Sequence, residues 1–341
     1  MNLLVTGGAG FIGSNFVRYW LERYPHDRVL NLDLLTYAGN PRNLDDVATA
    51  AGERYAFVRG DIGNVDLVEH LLGQYRIEAV VNFAAESHNS RAVLDPAAFL
   101  RTNVLGTQGL LEACRRHGTA RVHHVSTCEV FGDLALDSTD SFSEERPYRP
   151  RTPYSAAKAG GDLVARSYYE TFGLPVTIST CANNYGPYQF PEKLIPLFTT
   201  NALDGQPLPL YRSSANRREW LYVTDHCRAI DAILRQGQPG QLYNIGSGVE
   251  QSIEQIADCI LALLDRPVSL KTYVADRPGH DRRYLLNSGR VRRDLGWAPQ
   301  VGFEEGMRRT VQWYREHEAW WRPLKERPGV VEGAWQPLTT R

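Results

Sequence analysis

Leu3-Leu-Val-Thr6 is followed at once by Gly7-Gly8-Ala9-Gly10-Phe11-Ile12-Gly13, and this junction leaves the chain few ways to begin folding. The four apolar or β-branched residues read as a buried parallel strand. The spacing of Gly7, Gly10 and Gly13 turns that strand sharply into a helix, expected from about Ser14 to Tyr24. Glycines at such a turn let backbone N–H groups approach an anion closely, at a helix end whose unpaired donors and dipole favour negative charge. Gly7, Gly10, Phe11, Ile12 and Gly13 therefore read as a cradle for a pyrophosphate. A tight turn with no ligand is the competing reading.

The next segments weigh against that competitor. Val29-Leu-Asn-Leu-Asp33 reads as a second strand ending in an acid, placed to hydrogen-bond ribose hydroxyls and to repel a 2′-phosphate, so the pattern favours NAD over NADP. A third strand is expected over Tyr55 to Ile62, with Asp61 at its carboxyl end. Asp61 is placed either to meet an adenine amino group or to cap a loop. Ala79 to Ala85 reads as a fourth strand, where the small Ala84 and Ala85 leave room for a cofactor to lie across the strand end. A long amphipathic helix is expected over 97–117 and a fifth strand over Arg121 to Val125. Strands alternating with helices imply a parallel sheet, because parallel neighbours need crossovers.

Composition excludes other classes. The chain has 341 residues, enough to bury a sizeable core without metal or disulfide support. Its 38 Lys and Arg nearly balance its 39 Asp and Glu, so no global field points to nucleic acid or membrane, and neither is an expected partner. Cys114, Cys128, Cys181, Cys227 and Cys259 are odd in number, scattered and without a CxxC pair, which argues against a disulfide framework and against a metal site. A reducing cytoplasm fits. Met1 leads directly into the first strand with no basic, cleavable apolar leader, so secretion is not expected.

Chemistry enters after the fifth strand. Ser126-Thr127-Cys128-Glu129-Val130-Phe131-Gly132 brings a hydroxyl, a thiol and a carboxylate to the sheet's carboxyl edge, and Tyr154-Ser-Ala-Ala-Lys158 follows on a helix expected to run to Phe172. A lysine ammonium beside a phenol stabilises the phenolate, so Tyr154 can act as a base where a free phenol, with pKa about 10, cannot. Thr127 can orient a substrate hydroxyl toward it. A Tyr-x-x-x-Lys pair is common by chance; its weight here comes from Thr127 and the glycine turn. Asp133 to Arg151 is polar and proline-containing and reads as a loop.

Beyond the strand Val176 to Thr180 the chain turns irregular. Asn183-Asn-Tyr-Gly-Pro-Tyr-Gln-Phe-Pro-Glu192-Lys193-Leu194 carries amides, aromatics and a lysine suited to a nucleoside diphosphate, although a structural loop uses the same residues. Asn216-Arg217-Arg218 and Asp276-Arg277-Pro-Gly-His280-Asp281-Arg282-Arg283-Tyr284 offer guanidinium forks for phosphate, or simply solvated surface. His88, in a loop after the fourth strand, reads as plain surface or as a site residue. The expected organisation is a nucleotide-binding domain over 1–180, a mainly substrate-binding lobe over 181–325 with some segments returning to the first domain, and a tail over 326–341.

The glycine turn, Thr127 and the Tyr154/Lys158 pair resemble the extended short-chain dehydrogenase/reductase superfamily. More closely, Ala84-Ala-Glu-Ser87-His88, Ser126-Thr-x-Glu129-Val, the segment Asn183 to Lys193 and Arg277-Pro-Gly-His280-Asp281 resemble the dTDP-glucose 4,6-dehydratases, over residues 2 to about 325. That resemblance implies an α/β fold: a Rossmann doubly wound parallel sheet with a smaller C-terminal nucleotide-sugar-binding lobe, tightly held NAD, and a homodimer formed through helices 97–117 and 154–172. It implies that Tyr154 takes the C4 hydroxyl proton as hydride leaves C4, that Glu129 removes the acidified C5 proton, that the C6 hydroxyl departs with help from an acid, and that hydride returns to C6. Ser87, His88, Asn183, Glu192, Lys193, Leu194, Asn216, Arg218, Arg277, His280 and Tyr284 become the implied substrate contacts, beside the cofactor contacts Gly7, Gly10, Phe11, Ile12, Gly13, Asp33, Asp61, Ile62, Ala84, Ala85, Tyr154 and Lys158.

The chain also departs from that pattern. Cys128 stands where the family carries an aspartic acid, Asn89-Ser90-Arg91-Ala92 replaces Val-Asp-Arg-Ser, Phe131 replaces a tyrosine, and Arg212-Ser213-Ser214 replaces glycine-aspartate-glycine. A thiol, of reference pKa about 8.5, stays protonated at neutral pH but is a weaker acid than a carboxylic acid. Either Cys128 donates to the leaving hydroxyl, or Glu129 recycles the proton it took, or Cys128 only packs. Ser-Thr-Cys-Glu is also similar to the nucleotide-hexosamine 5,6-dehydratases, which return hydride to C4 and release an exocyclic alkene. A 4-epimerase and a non-catalytic nucleotide-sugar binder are the remaining alternatives.

Overall fold

The computed structural model describes residues 1–276 and 278–327. Its strands, in chain order, are β1 (Asn2–Thr6), β2 (Arg28–Asp33), β3 (Tyr55–Arg59), β4 (Ala79–Asn82), β5 (Arg121–Val125), β6 (Val176–Cys181), β7 (Asn183–Tyr185), β8 (Leu208–Tyr211), β9 (Arg217–Tyr222), β10 (Leu242–Ile245), β11 (Glu250–Ser252) and β12 (Lys271–Val274). Seven of these form one sheet in the order β3-β2-β1-β4-β5-β6-β10, with every neighbouring pair parallel. The chain builds outward from β1 to β3, then returns to the other side of β1 with β4. The carboxyl ends of β1 and β4 therefore flank the point where winding reverses, the place where such sheets open a crevice for ligands. Thr6 and Asn82 are opposite each other there, and the Thr6 hydroxyl donates to Asn82 Oδ1 at 2.6 Å.

The central strands β1 and β4 are buried and largely apolar without alternation because both faces of the sheet are covered there. Leu4, Leu30, Val80 and Val122 pack into one core, and Leu3, Val5, Val29 and Val81 pack with Phe16 and Trp20 into the other. Each fully buried side chain of this kind contributes about 2 kcal/mol. A third core, around Tyr185, Phe198, Trp220, Ile256 and Met307, supports the smaller sheets. One of these joins β7, β9 and β11; the other pairs β8 with β12. β10, from beyond residue 180, completes the edge of the large sheet beside β6.

Several element limits differ from expectation. The first helix begins at Phe11, not Ser14, because its cap is Gly10 itself. β3 ends at Arg59 and β4 at Asn82, so Asp61, Ile62, Ala84 and Ala85 lie past the strand ends, in the loops that line the crevice. The single helix expected over 97–117 is broken into Pro96–Leu100, a π-helical stretch Arg101–Gly106, and Thr107–His117. The wide turn has a local reason: Asn103 Oδ1 accepts from Glu86 N at 2.9 Å and its Nδ2 donates to Glu86 O at 3.0 Å, which ties the helix to the loop after β4. π-bulges of this kind recur near functional sites. The helix bearing Tyr154 spans Pro153–Phe172, opened by proline at its first position and by a reciprocal cap between Thr152 and Ser155. Of the expected tail, residues 328–341 lie outside the described residues, as does Arg277.

Candidate active site

The crevice at the reversal point holds two adjoining cavities. The larger, about 310 Å³, is lined by Gly7, Gly10, Phe11, Ile12, Gly13, Asp33, Asp61, Ile62, Ala84, Ala85, Thr127, Cys128, Glu129, Tyr154 and Lys158 among others. All the residues expected to hold the dinucleotide and all those expected to handle protons thus meet in one space. The smaller, about 220 Å³, is lined by Ser87, His88, Asn183, Glu192, Lys193, Leu194, Arg218, His280 and Tyr284. Glu129, Ser87, Asn183 and Lys193 border both.

The glycine turn fits a pyrophosphate. Gly7 has φ +68°, and a Cβ there would stand 2.6 Å from the Ala84 amide nitrogen; a Cβ on Gly13 would stand 2.4 Å from the Gly7 carbonyl oxygen. These two glycines are required by the turn itself. Gly10 differs: its Cβ would approach only the Gly7 carbonyl, at 3.3 Å, and would otherwise occupy cavity space. No side chain caps the helix that follows, so its first N–H groups face the crevice's anion-favouring end. Asp33 accepts from Ala9 N at 2.9 Å and from Leu35 N at 2.8 Å. Burial pushes its carboxyl up and these two bonds pull it down. Each oxygen retains a lone pair for a ribose hydroxyl. Asp61 Oδ1 accepts from Gly63 N at 2.8 Å, a loop cap, while the residue also lines the cavity, so both readings of Asp61 are compatible.

Around the reacting centre, Thr127 caps a short 3₁₀ turn, Cys128–Phe131, by accepting from Glu129 N at 3.3 Å. The turn aims Glu129 at the junction of the cavities and buries Cys128. Burial, then the adjacent Glu129 charge, push the Cys128 thiol well above its ordinary value. The Tyr154 phenol is likewise held well up, by burial first and Glu129 next, while hydrogen bonding to Thr127 acts in the opposite direction. Lys158 Nζ donates to the Val125 carbonyl at 2.7 Å. That bond anchors Lys158 to β5 with one of the ammonium's three donors, and burial lowers the ammonium while Asp162 raises it. Asp162, one helical turn beyond Lys158, accepts from Ser126 Oγ at 2.6 Å and Tyr148 OH at 3.1 Å, beside His124 Nε2 at 3.3 Å.

In the smaller cavity two loops are tied together. Lys193 Nζ donates to Ser87 O at 3.0 Å, and Arg91 Nε and Nη2 each donate to Glu192 Oε2 at 3.3 Å. The Arg91 guanidinium lies 3.9 Å over the Tyr37 ring. Arg218 stacks 4.5 Å over Tyr284 and donates to the Asp281 carbonyl at 2.6 Å, while Tyr284 OH bonds the Asp281 carboxyl. Burial pushes that carboxyl up to about 6. Asn216, expected as a substrate contact, does not line either cavity; it lies behind, donating to Asp281 O at 3.2 Å. Sequence reasoning marked Asn89 only as a departure from the resembling pattern and did not single out Tyr37, Tyr211 or Trp220, which line the site from loops and strands without a spacing rule. Asp162 had a legible signal, its position four residues after Lys158 on one helix face.

Comparison with known proteins agrees with this geometry. A family model described as GDP-mannose 4,6 dehydratase matches residues 4–310. The chain is similar to a dTDP-glucose 4,6-dehydratase of Streptomyces niveus, 49% identical across 95% of this chain and 96% of the relative. One from Streptomyces antibioticus is 47% identical across 96% of each. Among solved structures, the dTDP-glucose 4,6-dehydratase DesIV from Streptomyces venezuelae, with NAD bound, superposes with TM-score 0.91 at 51% identity, covering 95% of this chain and all of the other.

Proposed function

The chain belongs to the dTDP-glucose 4,6-dehydratase family, and we propose that it carries out that reaction with Cys128 in the place of the usual acid. It is an NAD-dependent hydro-lyase acting on a nucleotide sugar, dTDP-glucose, and giving the 4-keto-6-deoxy product. NAD, when bound, supplies reversible hydride transfer, out of C4 and back to C6. The residues of 1–180 hold the cofactor and those of 181–325 mainly hold the nucleotide sugar.

One observation carries the division of labour: Glu129 borders both cavities, with Thr127 and Tyr154 on the dinucleotide side and the nucleotide-sugar contacts on the other. Tyr154 takes the C4 hydroxyl proton, Thr127 orients that hydroxyl, and Lys158 braces the tyrosine helix against β5 while adding positive charge near the phenol. The C4 ketone acidifies C5, whose proton passes to the Glu129 carboxylate. The C6–O bond then breaks and the hydroxyl leaves as water; once hydride has returned to C6, a proton from solvent completes C5. A thiol held far above its ordinary pKa is a poor donor, which supports the reading that Glu129 returns its proton to the departing oxygen and Cys128 mainly packs.

The same proposal includes a homodimer and a cytoplasmic location. Leu100, Leu105 and Leu163, on the helices assigned to the dimer, are 51%, 62% and 59% exposed, and leucines so exposed on neighbouring helices suit a second copy of the chain. The five cysteines are free, in keeping with a reducing compartment.

Two variants test the assignment. Tyr154→Phe should abolish C4 oxidation, seen as loss of the transient absorbance of reduced nicotinamide. Glu129→Gln should keep that transient and block deuterium uptake at C5. Full activity in the first, or normal C5 exchange in the second, sinks the mechanism.

A further inference from the structure

Glu129 has one side-chain partner among its neighbours that the reaction as described does not use. Asn89 Nδ2 donates to Glu129 Oε2 at 3.0 Å. Asn89 opens the short helix Asn89–Leu94 and lines the smaller cavity with Glu129. Its other polar atom, Oδ1, is buried and has no hydrogen-bond partner among the described residues. A carboxylate accepts only, so the amide nitrogen must face Glu129 and the carbonyl oxygen must face away from it. A buried acceptor without a donor costs free energy that a bound donor would recover.

Once C4 has become a ketone, the C6 hydroxyl is the hydroxyl donor on a carbon next to C5, where Glu129 works. From this geometry we propose that Asn89 is a positioning residue and substrate contact in one. Nδ2 fixes one oxygen of Glu129, leaving Oε1 for the C5 proton, and Oδ1 accepts from the C6 hydroxyl. That bond points a lone pair of the C6 oxygen back toward Glu129. When the C5–H bond breaks, its proton passes to Oε1; when C6–O breaks, the same proton passes to the leaving oxygen and water departs. One carboxyl thus serves as base and acid, and Asn89 keeps both reacting positions within its reach.

The inference rests on the dehydratase reading, and its test separates the two. Purified holoenzyme is incubated in deuterium oxide with the 4-keto-6-deoxy product, where C5 exchange needs no hydride step, and binding of dTDP-glucose and of dTDP-6-deoxyglucose is measured by calorimetry. Wild-type enzyme that fails to exchange C5 sinks the dehydratase reading itself. Asn89→Ala should exchange C5 about tenfold more slowly, the scale of a misplaced catalytic group. It should bind dTDP-glucose about fivefold more weakly, the scale of one hydrogen bond, and bind dTDP-6-deoxyglucose as wild type does. Asn89→Asp, which sets like charge beside Glu129, should shift the acid limb of C5 exchange to higher pH. Unchanged exchange in Asn89→Ala with an unmoved limb in Asn89→Asp overturns the hold on Glu129. Equal weakening for both sugars overturns the C6 contact. A parallel loss of C4 oxidation, measured with dTDP-6-deoxyglucose, would mean a merely structural role and would also overturn it.

Discussion

At the scale of single residues the question is what Cys128 does beside Glu129. The thiol is 2% exposed and held far from ionisation by burial, and both it and Asn89, two departures from the resembling pattern, meet the same carboxylate. If Glu129 is its own acid, Cys128→Ala should keep turnover within about threefold, measured as water loss from dTDP-glucose. A loss of a hundredfold or more, the contribution of a general acid, would restore the thiol as proton donor. Cys128→Asp should place a better acid and a second charge next to Glu129, raising both carboxyl pKa values; its pH profile reports the balance. The residues proposed to hold the dinucleotide were legible because their chemistry follows from spacing: Gly7, Gly10, Gly13 and Asp33 all line the crevice. Asn89 was not, because a hydrogen bond between residues 40 apart in sequence leaves no local pattern. The i,i+4 spacing sets Tyr154 and Lys158 on one helix face, but the ammonium's bond to the β5 carbonyl joins residues far apart in sequence and left no local signal.

Among the elements, the β1 turn has the least tolerance. Gly7→Ala combines a positive φ with a backbone collision at Ala84. It should destabilise the fold by about 2 kcal/mol and weaken NAD binding, read by thermal unfolding with and without NAD. Gly10→Ala should instead leave apo stability within about 0.5 kcal/mol and weaken NAD alone, because its Cβ enters the cradle and not the protein. Equal effects of the two substitutions would contradict the distinct roles given to these glycines. The helices proposed to form the dimer make a second prediction. Leu105→Glu with Leu163→Glu should turn a dimer into a monomer in light scattering, whereas a wild-type chain that is monomeric would contradict the dimer. Helix positions were legible from amphipathic spacing, and the π-helical stretch was not, since it answers to the Asn103–Glu86 tie.

Taken whole, the molecule carries buried titratable groups with opposing effects on its pH stability. His123 and His226 are pushed down by burial to about 3 each. An unfolded chain protonates these imidazoles below about 6.5, whereas the folded chain does not until about 3, so their contribution is complete above 6.5 and lost as pH falls. Glu219, pushed up by burial to about 7 from 4.5, acts in reverse: the folded chain keeps a proton that the unfolded one releases, so its contribution declines as pH rises from 4.5 to 7. In denaturant unfolding at a series of pH values, His123→Gln should reduce the loss of stability below 6.5 and Glu219→Gln should flatten the decline up to 7. Parallel pH curves for wild type and both variants would contradict these assignments.

Hydride return to C6 without a carboxylic acid at position 128 decides how this dehydratase works. It is tested most directly by incubating the purified protein with dTDP-glucose in deuterium oxide, with no added reductant, and reading the product by mass spectrometry and proton NMR. Loss of water, one deuterium at C5 and a new C6 methyl are expected. Loss of water with two alkene protons and no methyl would contradict hydride return to C6, placing it at C4.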